Sequence, residues 1–328
     1  MHAPAPNPLL VGPILPTLMR LAYPNMIAMV ATSVVAIAET SYVGLLGTPA
    51  LAGLALVFPI VMLQQMLSGG AMGGGVSSSI ARALGAGDEA RARSLSVHAI
   101  IIGLSGGLVM SLLIFFLGRQ LFTLLGGRDA ALAEGLAYAH VYSLAIVGVW
   151  LTNTLASVVR GTGNMRIPSI TIFLAAGAQI VIGGLFGLGL GPFPRLGMSG
   201  VALGQVASFT SATAFLLWFL NSRHARVRLG LKGFRPDGAL FRDILRVGGL
   251  ACISPLQSVG TVLILTRLVA HFGTAALAGY GIGSRLEFLL IPIAFAVGVA
   301  CVPMVGMAIG AGDVARARKV AWTGGLAA

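Results

Sequence analysis

Eight apolar stretches follow one another along the chain, at about residues 15–46, 51–83, 93–117, 130–158, 168–190, 197–221, 240–271 and 276–309, and a ninth begins near Val314. Each is long enough to cross a bilayer as helix, which takes about 20 residues. The runs are continuous and lack the roughly ten-residue alternation of a membrane barrel, so they read as helices. Composition agrees: 57% of residues are hydrophobic, only 9% are charged, and the mean hydropathy is +0.94. A soluble surface normally draws on about a quarter charged residues. The predicted class is an all-α polytopic membrane protein.

The net charge of +12 could suggest a nucleic-acid partner, but the placement of the charges argues otherwise. Lys and Arg concentrate in alternate loops: Arg82, Arg91 and Arg93; Arg160 and Arg166; Arg223 through Arg246; then Arg316, Arg318 and Lys319. The intervening loops hold only Arg119, Arg128 and Arg195. Such alternation follows the positive-inside rule and places the N-terminus and the basic loops in the cytoplasm of a multi-pass cell membrane. The basic connector "NSRHARVRLGLKGFRPDG" then reads as a linker beside anionic headgroups. The start "MHAPAPNPLLVGP" lacks the basic n-region of a cleavable signal. Cys252 and Cys301 fall within apolar runs without ligand neighbours, as small packing residues do, and no metal site is expected.

An internal repeat organises the chain. "GTPALAGL" at Gly47 returns as "GTAALAGY" at Gly273, 226 positions later, and "GAGDEARAR" at Gly85 returns as "GAGDVARAR" at Gly310, 225 positions later. Six runs, an even number, separate equivalent points, so the two copies share one orientation. The expected architecture is two parallel six-helix lobes, a twelve-span plan of which about eight spans and the start of a ninth are present. The lobes divide as residues 1–225 and 239–328, joined by a basic linker at 226–238. The second copy is shorter than the first, as in a fragment or a truncated gene product.

Within the repeat, Gly85 and Gly87 suit the end of one helix, and Asp88 and Glu89 the start of the next. Neither copy carries the Gly-Lys-Ser/Thr ending of a phosphate-binding loop. In "SGGAMGGGVSSS", Gly69/Gly73 and Gly70/Gly74 are spaced for close helix packing.

Together with the repeat, several motifs in order resemble the multidrug and toxic compound extrusion (MATE) family: Pro24 in "LAYPNM", "ETSYVGLLG", the GAGD elbow, "RGTGNMRIP", "GLGPFPRLGMSGVAL" and "YGIGSRLE". The resemblance implies a twelve-span antiporter that exports amphipathic organic cations in exchange for protons or sodium ions, with no other cofactor. It also implies a small organic cation and membrane lipids as partners, no nucleic acid, and a chain acting as a monomer. The family's first-span acid, usually aspartate followed by threonine, matches Glu39 and Thr40. This sequence departs from the family where Asn and Asp are common in the fifth span, having Gly177 and Val181, and "GGLACISPLQSVG" in the seventh span carries no acid.

Glu39 is costly on membrane grounds alone, since an acid at the centre of a bilayer helix costs roughly 2.5 to 3.5 kcal/mol on insertion scales. No basic residue lies within a helical turn of it. Asn25, Thr32 and Glu39 recur every seven residues with Tyr42 beyond, a polar stripe expected to face a cavity. An acid so placed can pass between neutral and charged forms, alternately holding a proton and attracting a cationic substrate. The repeat counterpart of Glu39 is Leu265, so the acid belongs to one lobe only.

Gln64 and Asn153, deep in apolar runs, are either cavity residues or interhelical glue. Pro24 removes a backbone hydrogen bond and is the candidate kink. Arg285 and Glu287 read as structural. Two other transport-related readings remain at this point: a lipid-linked sugar flippase, whose cavity would carry several basic residues, and a fragment inactive by itself. A membrane-embedded enzyme is excluded, because no cluster of catalytic His, Asp or Glu lies within the runs.

Overall fold

The computed structural model describes residues 8–230, 235–270 and 294–328. Among the described residues every regular element is helical. After a short α1 (Pro8–Val11) come α2 (Ile14–Gly44), α3 (Thr48–Gln65) and α4 (Gly73–Gly85), the last two joined by a π-helical segment at Met66–Met72. Then follow α5 (Glu89–Leu124), α6 (Asp129–Gly161), α7 (Arg166–Leu188) and α8 (Gly197–Asn221). Beyond the basic connector lie α9 (Gly238–Ala251), α10 (Ile253–Ala270), α11 (Ala294–Gly310) and α12 (Val314–Ala327).

Among the described residues six helical stretches are long and apolar enough to cross a membrane: Ile14–Gly44, Thr48–Gly85, Glu89–Leu124, Asp129–Gly161, Arg166–Leu188 and Gly197–Asn221. They correspond to the first six apolar runs. The seventh run differs from the expectation of one continuous span, because the chain breaks between α9 and α10 at Cys252. Gly248 and Gly249 precede the break and Pro255 follows it, so weak helix formers meet a residue without a backbone N–H. Of the eighth run only its second part, α11, lies within the described residues, and Arg285 and Glu287 lie outside them.

Helix α6 is the centre of the bundle. Seventy-two per cent of its apolar window is buried, against 22–39% for the other five candidate spans. Its residues explain that place: small and hydroxyl-bearing side chains from Thr152 to Gly161 let neighbours approach on all sides. The four-residue glycine spacing does the same for the second span, since a Cβ on Gly69 would meet Asn153 and one on Gly73 would meet Ser157, both on α6. Pro24 sits inside α2, which remains one helix of 31 residues across it.

The repeated elbow is reproduced in three dimensions. Gly87 and Gly312 take φ of 76° and 81°, the left-handed conformation that glycine adopts without penalty. Asp88 then accepts a hydrogen bond from the Arg91 backbone N–H, and Asp313 from that of Arg316, each at 2.8 Å. The two cap α5 and α12 in the same way.

The ends of α4 and α11 meet backbone to backbone. A Cβ on Gly85 would collide with the Met307 carbonyl, and one on Gly310 with the Arg82 carbonyl. At the 225-residue offset Gly85 matches Gly310 and Arg82 matches Met307, so the two contacts are the same contact exchanged. Beside them Gly306 faces Ala81, its own counterpart, so closely that a Cβ added to the glycine would lie only 2.7 Å from that of Ala81. Reciprocal pairs next to a self-paired position are the mark of two-fold packing. The repeat thus relates α4 and α11 about a local two-fold axis that passes between them.

Candidate functional site

Glu39 lies on α2 five residues before its end and is buried, with 8% of its surface exposed. Among the described residues it is the one buried acid. No Lys, Arg or His reaches its carboxylate within ion-pairing distance among those residues. Its partner is an amide: Gln179 Nε2 of α7 donates to Glu39 Oε1 at 2.8 Å. Gln205 of α8 lies beside the carboxylate and donates through Nε2 to the Tyr138 hydroxyl at 2.9 Å.

Three tyrosines complete the surroundings. Tyr42 of α2 and Tyr138 and Tyr142 of α6 lie within electrostatic reach of Glu39. The rings of Tyr138 and Tyr142, one helical turn apart, have centroids 5.9 Å from each other. The hydroxyls of Tyr42 and Tyr142 are buried without a hydrogen-bond partner among the described residues. Four helices therefore converge on one carboxyl group.

Glycines make that convergence possible. A Cβ on Gly204 of α8 would lie 2.8 Å from the Gly183 backbone nitrogen and from the Gln179 carbonyl oxygen of α7. One on Gly183 would lie 2.9 Å from the Tyr42 hydroxyl. Absent side chains at these points let α7 and α8 touch, and this draws Gln179 and Gln205 to the same level as Glu39.

The polar stripe of α2 is not uniformly enclosed. Asn25 is 1% exposed, and neither polar atom of its amide has a partner among the described residues. Thr32, between Asn25 and Glu39, is exposed, and its hydroxyl donates to the Met29 carbonyl of its own helix at 2.7 Å. Tyr42 returns to the buried face beside Glu39.

Gln64 and Asn153 belong to a different set of contacts. Trp150 Nε1 donates to Gln64 Oε1 at 2.8 Å, and Asn153 Nδ2 donates to Ser68 Oγ at 2.8 Å and Gln65 Oε1 at 3.1 Å. These bonds tie the π-helical region of the second span to α6. A π-turn shifts the register of the side chains that follow it and often marks a functional segment.

Tyr138, Tyr142, Gln179 and Gln205 do not stand out in the sequence. The signal that marks Gln64 and Asn153, an uncharged polar residue deep in an apolar run, nevertheless also marks Gln179 and Gln205. In the fifth span the amide stands at Gln179, midway between Gly177 and Val181. Val181 is 57% exposed and faces away from the cluster. Leu265, the counterpart of Glu39, is exposed on α10. Among the described residues no group of His, Cys, Asp and Glu is disposed to hold a metal ion.

The profile of the MatE family matches residues 24–185 and 251–327. The chain is 27% identical over 318 residues to an FAD transporter of Shewanella oneidensis, covering 95% of this chain and 69% of that protein. It is 26% identical over 276 residues to the multidrug export protein MepA of Staphylococcus aureus, covering 84% of this chain and 60% of that protein. It therefore spans about two thirds of the length of these relatives. Among solved structures, a MOP superfamily transporter from Pyrococcus furiosus with a binding pocket of reverse polarity superposes with a TM-score of 0.90 at 25% identity, over 99% of this chain and 71% of that one. An outward-facing multidrug resistance MATE family transporter gives 0.88 at 26% identity, over 97% and 70%.

Proposed function

The chain belongs to the MATE family of membrane transporters, and on that premise we propose that it takes part in exporting amphipathic organic cations in exchange for protons or sodium ions, with Glu39 as the coupling group. The observation that carries the reading is the isolated carboxyl of Glu39, held by Gln179 and ringed by Tyr42, Tyr138 and Tyr142. A carboxyl without a fixed cation can take a proton or a sodium ion, and once charged it attracts an organic cation. Tyrosine faces stabilise such a cation by roughly 0.5–2 kcal/mol each. Binding of the coupling ion and of the substrate then compete for one group, which is the requirement for exchange.

Alternating access supplies the other half of the mechanism. The lobes are residues 1–225 and 239–328 with the connector 226–238 between them, and the basic ends face the cytoplasm. The reciprocal contacts of Gly85 with Met307 and Gly310 with Arg82 close the basic end, and cytoplasmic opening requires them to part.

Efflux of a cationic dye from proteoliposomes under imposed proton or sodium gradients tests the reading. Glu39→Gln keeps the shape and the Gln179 contact and removes the titrating group, so gradient-driven efflux should fall at least about tenfold. Unchanged efflux would sink the proposal. The FAD transporter that matches 95% of the chain favours a second reading, an anionic dinucleotide as cargo. FAD export that survives Glu39→Gln, with no dye export by either form, would establish that alternative.

A further inference from the structure

A basic pocket lies at the other end of the lobe from Glu39. Arg20 of α2, Arg166 at the start of α7, His224 and Arg226 after α8, and Asn164 of the α6–α7 loop line a cavity of about 400 Å³. No acidic residue lines it. The acids of that end are engaged elsewhere: Asp243 with Arg82 and Arg91, Glu89 with Arg93, and Asp88, Asp237 and Asp313 as helix caps. Among the described residues none of Arg20, Arg166 and Arg226 has a carboxylate within ion-pairing distance. Three guanidinium groups from three separate elements are thus gathered with their charge uncompensated.

An apolar groove of about 430 Å³ continues from the pocket and shares Arg20, Pro24 and Arg166 with it. Its remaining walls are Tyr23 and Ile27 of α2 and Ile170 of α7. These are 65%, 44% and 52% exposed, at one- and two-turn spacing from Arg20 and Arg166 along the two helices. An anion-binding head and an apolar trough rising from it along two spanning helices match one molecular shape.

The geometry points to a binding site for an anionic phospholipid, with its phosphate held by Arg20, Arg166 and Arg226 and an acyl chain lying along Tyr23, Ile27 and Ile170. Guanidinium groups bind phosphate oxygens in paired hydrogen bonds, and basic pockets between spanning helices on the cytoplasmic side are suited to lipid headgroups. A soluble phosphate compound would use the pocket and leave the groove empty. The site is independent of Glu39 and of what the protein transports.

Native mass spectrometry of the full chain in detergent tests this, with phosphatidylglycerol, phosphatidylcholine and glycerol phosphate offered as probes. Phosphatidylglycerol adducts should exceed phosphatidylcholine adducts and resist equimolar glycerol phosphate. The triple variant Arg20→Gln, Arg166→Gln, Arg226→Gln should lose the preference by at least about fivefold. The triple Lys variant, which keeps the charge and loses the paired hydrogen bonds, should retain more of it than the triple Gln variant, and Arg223→Gln with Arg228→Gln, which changes the same basic segment outside the pocket, should retain nearly all of it. Equal losses in the two Gln sets would overturn the site. Displacement by glycerol phosphate would overturn the lipid assignment in favour of soluble phosphates. Should the triple Gln variant not fold, equal binding of the two lipids by the unaltered chain overturns the proposal.

Discussion

Gly310 rests against the carbonyl oxygen of Arg82 so closely that no Cβ could stand between them, and its repeat counterpart Gly85 meets the Met307 carbonyl in the same way. Backbone atoms of two helices cannot yield to an added methyl group as a flexible side chain can. Gly310→Val should therefore part the ends of α4 and α11, with overpacking that costs roughly 1–3 kcal/mol in the closed form. Spin labels at Arg93 and Arg318, exposed positions equivalent in the repeat, should report a longer distance in the variant. An unchanged distance distribution would show that the seam is not what holds the ends together.

Gln64 accepts from the indole of Trp150 in a buried setting, and both cavity and glue roles are open for it in the sequence. Gln64→Leu leaves the indole N–H without an acceptor, so stability should fall by about 1–3 kcal/mol. Thermal unfolding in detergent measures this, and efflux per folded molecule should remain near the parent value. A selective loss of efflux with unchanged unfolding would make Gln64 a substrate contact instead.

Asp243 joins α9 to α4 and α5 by bridging Arg82 at 2.6 Å and Arg91 at 3.2 Å. The side chains are partly exposed, so each pair contributes no more than about 1 kcal/mol in dilute salt. Asp243→Asn should lower the unfolding temperature at low ionic strength, with the difference shrinking as salt screens the parent pair. A deficit independent of salt would mean that packing, not charge, is lost.

Asn25 is buried with both amide atoms unpartnered among the described residues. If the position is dry, Asn25→Leu removes an uncompensated polar group and should hold or raise stability by about 1 kcal/mol. A fall of similar size in thermal unfolding would instead reveal ordered water at that amide.

Much of the fold is legible because spanning helices are written in local chemistry. Apolar length marks six spans among the described residues, with Asp88 and Asn164 accepting backbone N–H groups where α5 and α7 begin ahead of their apolar runs, while α5 also continues past its run as far as Leu124. The break at Cys252 is less legible, since composition alone keeps 240–271 apolar throughout.

The candidate site divides along the same line. Sequence by itself determined the helical membrane class, the repeat, the alternation of basic and charge-poor loops, and the singular place of Glu39, because each follows from composition or spacing along one segment. Only the tertiary structure decided that Gln179, Gln205, Tyr138 and Tyr142 surround that acid, and that Thr32 opens away from the stripe it shares with Asn25. Gln179 stands 140 residues from Glu39, and what brings them together is the packing of α7 on α2, where Gly183 leaves room for Tyr42. A residue's own periodicity says which way it points on its helix; which neighbour it meets is settled by how closely the backbones pack.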